Sequence, residues 1–312
     1  PYTVQYLFNV QRELGKDMVL EAGYLGSVSR KLESLRLFNQ PLPSATGSAQ
    51  SRAPYPEFGL IQAPEGNGKA HYNSFMAKAQ RRFSQGATFL AAYTWSKAID
   101  TGSAIRVHLG QSLFPQDNHC VRCERGLSSF HSTNRFVTSG LLELPLGKGK
   151  RYANGSGIND VLIGGWQVGS ILTLQSGFPF SALLGAQRSN TTGFVSDRPN
   201  ATGRNVSLPR GQQDPERFFN TAAFAIQPFG SFGNAGRNVV IGPGVIAWDF
   251  SALKNFRIHE SQQLQFRFEA FNLPNHPNWD MPGFLADRVD FGKVRGTRTP
   301  MRELQFGLKY VF

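Results

Sequence analysis

Cys120-Val121-Arg122-Cys123 places two thiols three residues apart, with His108, His119 and His131 in the same stretch of chain. Three chemistries fit such a set. A Cys2His2-type zinc site would need both thiolates together with His119 or His131. A thioredoxin-like redox pair would need a helix N-terminus to stabilise the first thiolate, and nothing around Cys120 announces a helix. Two cysteines in an oxidising compartment most often bond to each other, and a four-residue closure is geometrically feasible. The expectation is therefore a local Cys120–Cys123 disulfide, with no metal and no cofactor. Catalysis finds little support elsewhere. Asp249 and Glu269 are isolated, no serine, histidine and acid arrangement is legible, and Gly230 to Gly244 lacks the strand-then-helix context of a phosphate loop. An enzyme is not expected.

The elements that must carry this motif are strands. Of the 312 residues only 17% are charged, whereas there are 33 glycines, 26 phenylalanines and 18 prolines. That balance favours many short strands with glycine turns over amphipathic helices, whose exposed faces need Lys and Glu. Hydrophobic content is 40% and mean hydropathy −0.30. No apolar run is long enough for a spanning helix, which needs about 18 residues, so a helical membrane protein is excluded. The chain opens on Pro1 without a charged and apolar leader. It is expected to be a fragment whose export signal lies upstream.

Alternation of apolar and polar residues marks the strands. Thr3 to Arg12 and Met18 to Ser29 form a first hairpin around Leu14-Gly15-Lys16-Asp17. Tyr72 to Arg82 and Ala87 to Ile99 form a second, with Ala87, Phe89, Ala91, Tyr93 and Trp95 on one face. Further strands are expected at Thr133 to Leu144, Leu162 to Gln175, Ala247 to Ile258, where Leu253-Lys254 breaks the alternation, and Leu264 to Phe271. A four-residue turn, His259-Glu260-Ser261-Gln262, joins the last two. Residues 30 to 69, 100 to 131, 176 to 245 and 273 to 302 read as loops, rich in proline or glycine. About ten strands result, and short and long connections alternate without exception.

The final strand, Glu303 to Phe312, puts a large apolar side chain at every second position up to the carboxylate. A strand crossing lipid needs about 9–11 alternating residues. Antiparallel outer-membrane barrels also have short periplasmic turns and long outward loops. The fold class expected is therefore all-β, an antiparallel transmembrane barrel with its C-terminus on the periplasmic side. Arg267, Glu269, Gln265, Gln175, Thr173, Gln167, Lys78 and Gln80 must then face a lumen. A cation near the bilayer midplane costs about 2–4 kcal/mol. Trp95, Trp166, Trp248, Tyr93 and Tyr310 suit the interfacial aromatic belts.

Gln305-x-Gly307-Leu308-x-Tyr310 with terminal Phe312 resembles the assembly signal of bacterial outer-membrane barrels, which implies the barrel assembly machinery as a partner. A wider resemblance is carried by Tyr93-Thr94-Trp95-Ser96-Lys97-Ala98-Ile99-Asp100, Glu124-Arg125-Gly126 and Leu142 to Gly149. Gly164-Gly165-Trp166-Gln167-Val168, Phe219 to Phe224, Gly233 to Asn238 and Phe271 to Pro277 continue it. In order, these resemble the barrel of TonB-dependent, Oar-like outer-membrane proteins. The resemblance implies that residues 1–312 are the C-terminal portion of a barrel of the 22-stranded type, whose N-terminal half and plug precede Pro1. It also implies energy-coupled uptake of a large solute, contact with TonB through the missing N-terminal region, and location in the bacterial outer membrane. About ten strands cannot close a barrel of that diameter. The competing reading is a surface-display or adhesion barrel that moves no solute. The net charge of +12 is scattered over turns and loops with no recognition module, so nucleic acid is not an expected partner. Outer-membrane lipid and lipopolysaccharide are expected partners instead, and the solute stays unidentified.

Overall fold

The computed structural model describes residues 1–103, 114–154, 157–193, 196–209, 211–258 and 262–312. His108 and the turn residues His259, Glu260 and Ser261 lie outside the described residues. Nine long strands run in chain order across one sheet: β1 Tyr2–Leu14, β2 Met18–Leu37, β3 Gln62–Ser84, β4 Ala87–Asp100, β5 Asn134–Glu143, β6 Trp166–Gln175, β7 Val245–Arg257, β8 Gln263–Phe271 and β9 Glu303–Val311. Each pairs antiparallel with its neighbours in sequence, and the two-residue strand Gly126–Leu127 adds to the end of β4. β1 and β9 are the two edges of this sheet. Among the described residues no helix is long and apolar enough to cross a membrane.

Two features differ from the sequence reading. β2 and β3 continue through residues read as loop, pairing Leu35 with Pro64 and Leu37 with Gln62 across two register shifts between Ser29 and Ser34. Bulges take up the extra residues, and Pro64 retains its carbonyl for pairing, so a proline-bearing segment still extends the ladder. The strand expected from Leu162 starts only at Trp166, because Ile158–Ile163 forms a short helix, α1, and Gly165 turns the chain at φ +73°. The connection from β5 to β6, expected as a Gly/Lys turn region from Pro145 to Asp160, therefore continues through this helix to Gly165. It breaks the strict alternation of short and long connections, although the turns after β1 and β3 are short as expected. Leu253-Lys254 breaks the alternation inside a continuous strand, as expected: the β7 register against both neighbours is unbroken, so Lys254 lies in the outward-facing apolar row. There its ammonium donates to the Gly164 carbonyl and sits over the Trp166 and Phe256 rings, at 5.3 and 5.1 Å. A long cation can bury its stem in this way while its head finds a polar partner.

Candidate functional site

The register sorts the wall into two faces, because residues opposite one another across a sheet share a face. Phe256, Leu264 and Tyr310 form one cross-strand row, Ala252, Phe268 and Phe306 another, and Phe8, Tyr24, Phe75 and Trp95 a third. All five aromatic residues expected in interfacial belts fall in rows of this apolar face: Trp95, Tyr93, Trp166, Trp248 and Tyr310. Phe306, in mid-strand, is 67% exposed, as a lipid-facing side chain must be in a bare wall. The alternate residues form the other face. Arg267, Glu269, Gln265, Gln175, Thr173, Gln167, Lys78 and Gln80 all lie on it.

This polar face carries a trough. Gln80 of β3 and Glu269 of β8 line the same cavity of about 460 Å³, together with Ser139, Asp249 and Ser251. Its polar groups are linked locally: Lys78 stands 3.9 Å from Glu21, Gln167 donates to Glu143 at 3.1 Å, and Arg267 donates to Gln265 at 3.0 Å. The trough is a hydrogen-bonding surface that carries charges of both signs. Such a surface suits a polar plug or a passing polar solute. The assembly-signal residues divide between the faces, Gln305 and Gly307 towards the trough and Leu308 and Tyr310 outward, with Phe312 exposed at the end.

Above the wall the long loops pack into one lobe. Its core is Phe180, Ala182, Phe218, Phe219, Ala223, Phe224, Ala235, Val240 and Val294, drawn from residues 176–244 and 272–302. Phe219 is 1% exposed and meets Phe180, Phe224 and Phe291 edge-on, with ring centroids 5.1 to 6.2 Å apart. That is the geometry the aromatic quadrupole favours. Two-residue ladders, Phe224–Ala225 against Asn200–Ala201 and Val240–Ile241 against Pro179–Phe180, hold the backbone. The lobe is tied to the wall by Asn278, which accepts from the Ile246 amide and donates to its carbonyl, and by Asp249, which accepts from the Asn272 amide.

Buried polar side chains join this lobe to the disulfide loop. Glu124 receives both terminal nitrogens of Arg198 at 2.6 and 3.0 Å, and both side chains are below 10% exposure. Arg237 donates to the Glu124 carbonyl, to Ser103 and to Asp100. Gln116 donates to the Gly233 carbonyl and accepts from the Arg198 amide. A side chain at Gly233 would collide with the Arg198 carbonyl, which explains the glycine. Gln40 and Asn118 hydrogen-bond to each other and clamp the loop after β2 against the same seam. The sequence pieces Glu124-Arg125-Gly126, Phe219 to Phe224 and Gly233 to Asn238 thus meet in space, an assembly with no local signal in any of them.

Cys120 and Cys123 are joined, with Cα atoms 5.3 Å apart, closing the turn Val121–Glu124. His119 bonds to the Gln40 carbonyl, while His131 accepts from the Ala98 amide and lies 3.2 Å from the Thr133 hydroxyl. Burial and the Lys97 ammonium hold the His131 imidazole below the ordinary histidine range. The sulfurs and both histidines are thus occupied structurally.

Comparison with known proteins bears on this arrangement. A family model described as an outer membrane beta barrel domain matches residues 1–305. Among curated proteins none matches. In solved structures the chain is similar to the outer membrane transporter YddB from Escherichia coli, at 10% identity and a TM-score of 0.50. The likeness covers 99% of this chain and 32% of that one, so the chain spans about a third of that transporter's length. At this identity the likeness is one of fold.

Proposed function

Because this chain belongs to the outer membrane beta barrel domain family, we propose that it forms wall and extracellular lobe of a plugged barrel that imports a large solute by TonB-dependent uptake. The family is generally non-enzymatic, which agrees with the absence of a legible catalytic set in the sequence. The observation that carries the reading is the polar face, continuous from β1 to β9, on a sheet whose edges β1 and β9 are unpaired within this chain. Lipid leaves no backbone group unpaired, so further strands must complete the wall. A barrel that wide has a lumen for a plug or a channel. The trough's amides and carboxylates then contact the plug, the lobe lies over the mouth, and TonB engages a segment beyond this chain. Gln305, Gly307, Leu308, Tyr310 and Phe312 present the edge strand to the barrel assembly machinery.

A second reading, surface display or adhesion without transport, draws on the lobe, whose packed core gives it a fixed outer surface. Conductance of the intact protein in a planar bilayer separates the two. A plugged importer is closed in buffer and conducts once moderate urea displaces the plug. Immediate conductance contradicts a plug, and silence under both conditions contradicts a lumen. Loss of solute accumulation in cells lacking TonB then tests the energy coupling.

A further inference from the structure

The extracellular ends of β2, β3 and β4 and the disulfide turn enclose a cavity of about 420 Å³ lined by Arg30, Lys69, His71, Arg122 and Arg125. Its one acid is Asp100, whose carboxylate is already held by Arg237 and Ser103. Arg30 Nη1 lies 2.8 Å from His71 Nε2. A guanidinium can only donate, so His71 accepts there as the neutral imidazole and adds no charge. None of the ion pairs among the described residues involves Arg30, Lys69, Arg122 or Arg125. Four cations around one cavity, without a counter-charge, repel one another until an anion joins them.

The cavity's place in the wall identifies the anion's source. Arg30 is opposite Tyr2, and His71 is opposite Val28 and Ile99, all in the outward, lipid-facing rows. On the same face, towards the membrane, lies the aromatic row Phe8, Tyr24, Phe75 and Trp95. Same-face neighbours along a strand are about 6.6–6.8 Å apart, so His71 and Ile99 stand roughly 13 Å outward of that row. Aromatic belts mark the membrane interface, which puts the cavity at the headgroup level of the outer leaflet and on the outside of the barrel, away from the solute path. We propose that it is a binding site for the phosphate groups of lipopolysaccharide. Arg122 and Arg125 supply planar forks matched to phosphate oxygens, Arg30 a third, and Lys69 a point charge. The Cys120–Cys123 bond fixes the turn Val121–Glu124 and thereby holds Arg122 and Arg125 at the cavity. The proposal rests on outer-membrane placement and not on transport.

The test uses the intact barrel in detergent and compares binding of lipopolysaccharide bearing both lipid A phosphates, the same lipid after enzymatic dephosphorylation, and inorganic phosphate. The expected result is a loss of at least ten-fold in affinity for phosphorylated lipopolysaccharide in R122E/R125E, and a comparable loss for the wild type on the dephosphorylated lipid. Equal binding by wild type and variant overturns the proposal, as does undiminished binding of the dephosphorylated lipid. Inorganic phosphate binding as tightly as the lipid would make this a free-anion site and overturn the lipid assignment. Should the double variant fail to insert, the wild type decides: raising salt from about 0.05 to 0.5 M shortens screening from over 10 Å to a few Å and must weaken binding at least ten-fold, and salt-independent binding overturns the site.

Discussion

In the wall, Phe306, Leu308 and Tyr310 stand exposed on one face and Gln305, Glu269 and Arg267 line the other, so the strands are joined chiefly by their ladder. In the lobe almost every large side chain of the core is buried against another from a distant part of the chain. Of the buried apolar residues among those described, only Leu37, Ala98 and Ala270 belong to the nine wall strands. The wall leaves its apolar burial to the bilayer, which supplies an apolar surface outside and leaves polar groups to the lumen. The lobe has no lipid to lean on and builds a water-excluding core of its own, sealed by the Arg198–Glu124 pair. The same chain therefore has two stabilising principles, which should fail independently.

The largest expected effect lies in the lobe. Arg198→Ala leaves the Glu124 carboxylate buried without its guanidinium, a loss of about 3–5 kcal/mol. Proteolysis within 176–244 should accelerate while the folded barrel keeps its heat-resistant migration on gels; equal loss of both would mean one cooperative unit. In the wall, Phe306→Arg puts a cation in the middle of an outward row and should cost about 2–4 kcal/mol in lipid vesicles, whereas Gln305→Arg, one residue away on the trough face, should stay within about 0.5 kcal/mol. Reversible guanidinium unfolding measures both, and comparable costs would mean that the faces are wrongly assigned. C120S/C123S opens a four-residue ring, which by chain entropy contributes about 2 kcal/mol. That loss should be confined to exchange protection of the turn and its seam with Arg198 and Arg237.

The smallest effect is a pH dependence. The His131 imidazole titrates below its unfolded value because burial and Lys97 disfavour its charge. The unfolded state therefore binds the extra proton first, and His131 contributes stability fully above the unfolded value near 6.5. That contribution is lost as pH falls through the folded value. Protonation also removes the lone pair that accepts from the Ala98 amide. The seam around 128–133 should loosen from neutral to mildly acidic pH, and His131→Gln should flatten the profile; an unchanged profile in that variant would assign the dependence to other groups.

Legibility follows the same division. The wall is readable because lipid on one side and a lumen on the other force a period of two, and Leu304 to Tyr310 shows it in the residues themselves. Where β2 and β3 rise past the membrane that constraint ends, and the pairing of Leu35 with Pro64 has no alternation to announce it. The six residues of α1 are too few for a helical period to show. The lobe is invisible for a different reason. Phe180, Phe219 and Phe291 meet across long separations in irregular chain, and Gln116 bonds to Gly233 with no periodic pattern relating the two. The disulfide is readable from spacing and compartment, but the cations it presents are not, because Arg30, Lys69 and Arg122 come from three separate elements.

The measurement that bears most directly on this division between wall and lobe is hydrogen exchange of the intact barrel in bilayers, followed by mass spectrometry over 180–184, 218–224 and 235–241. A packed lobe should hold these amides for hours, with protection that collapses in Arg198→Ala while the β7 to β9 ladders stay slow. Exchange of these segments within seconds in the wild type, as for unstructured loops, would contradict it.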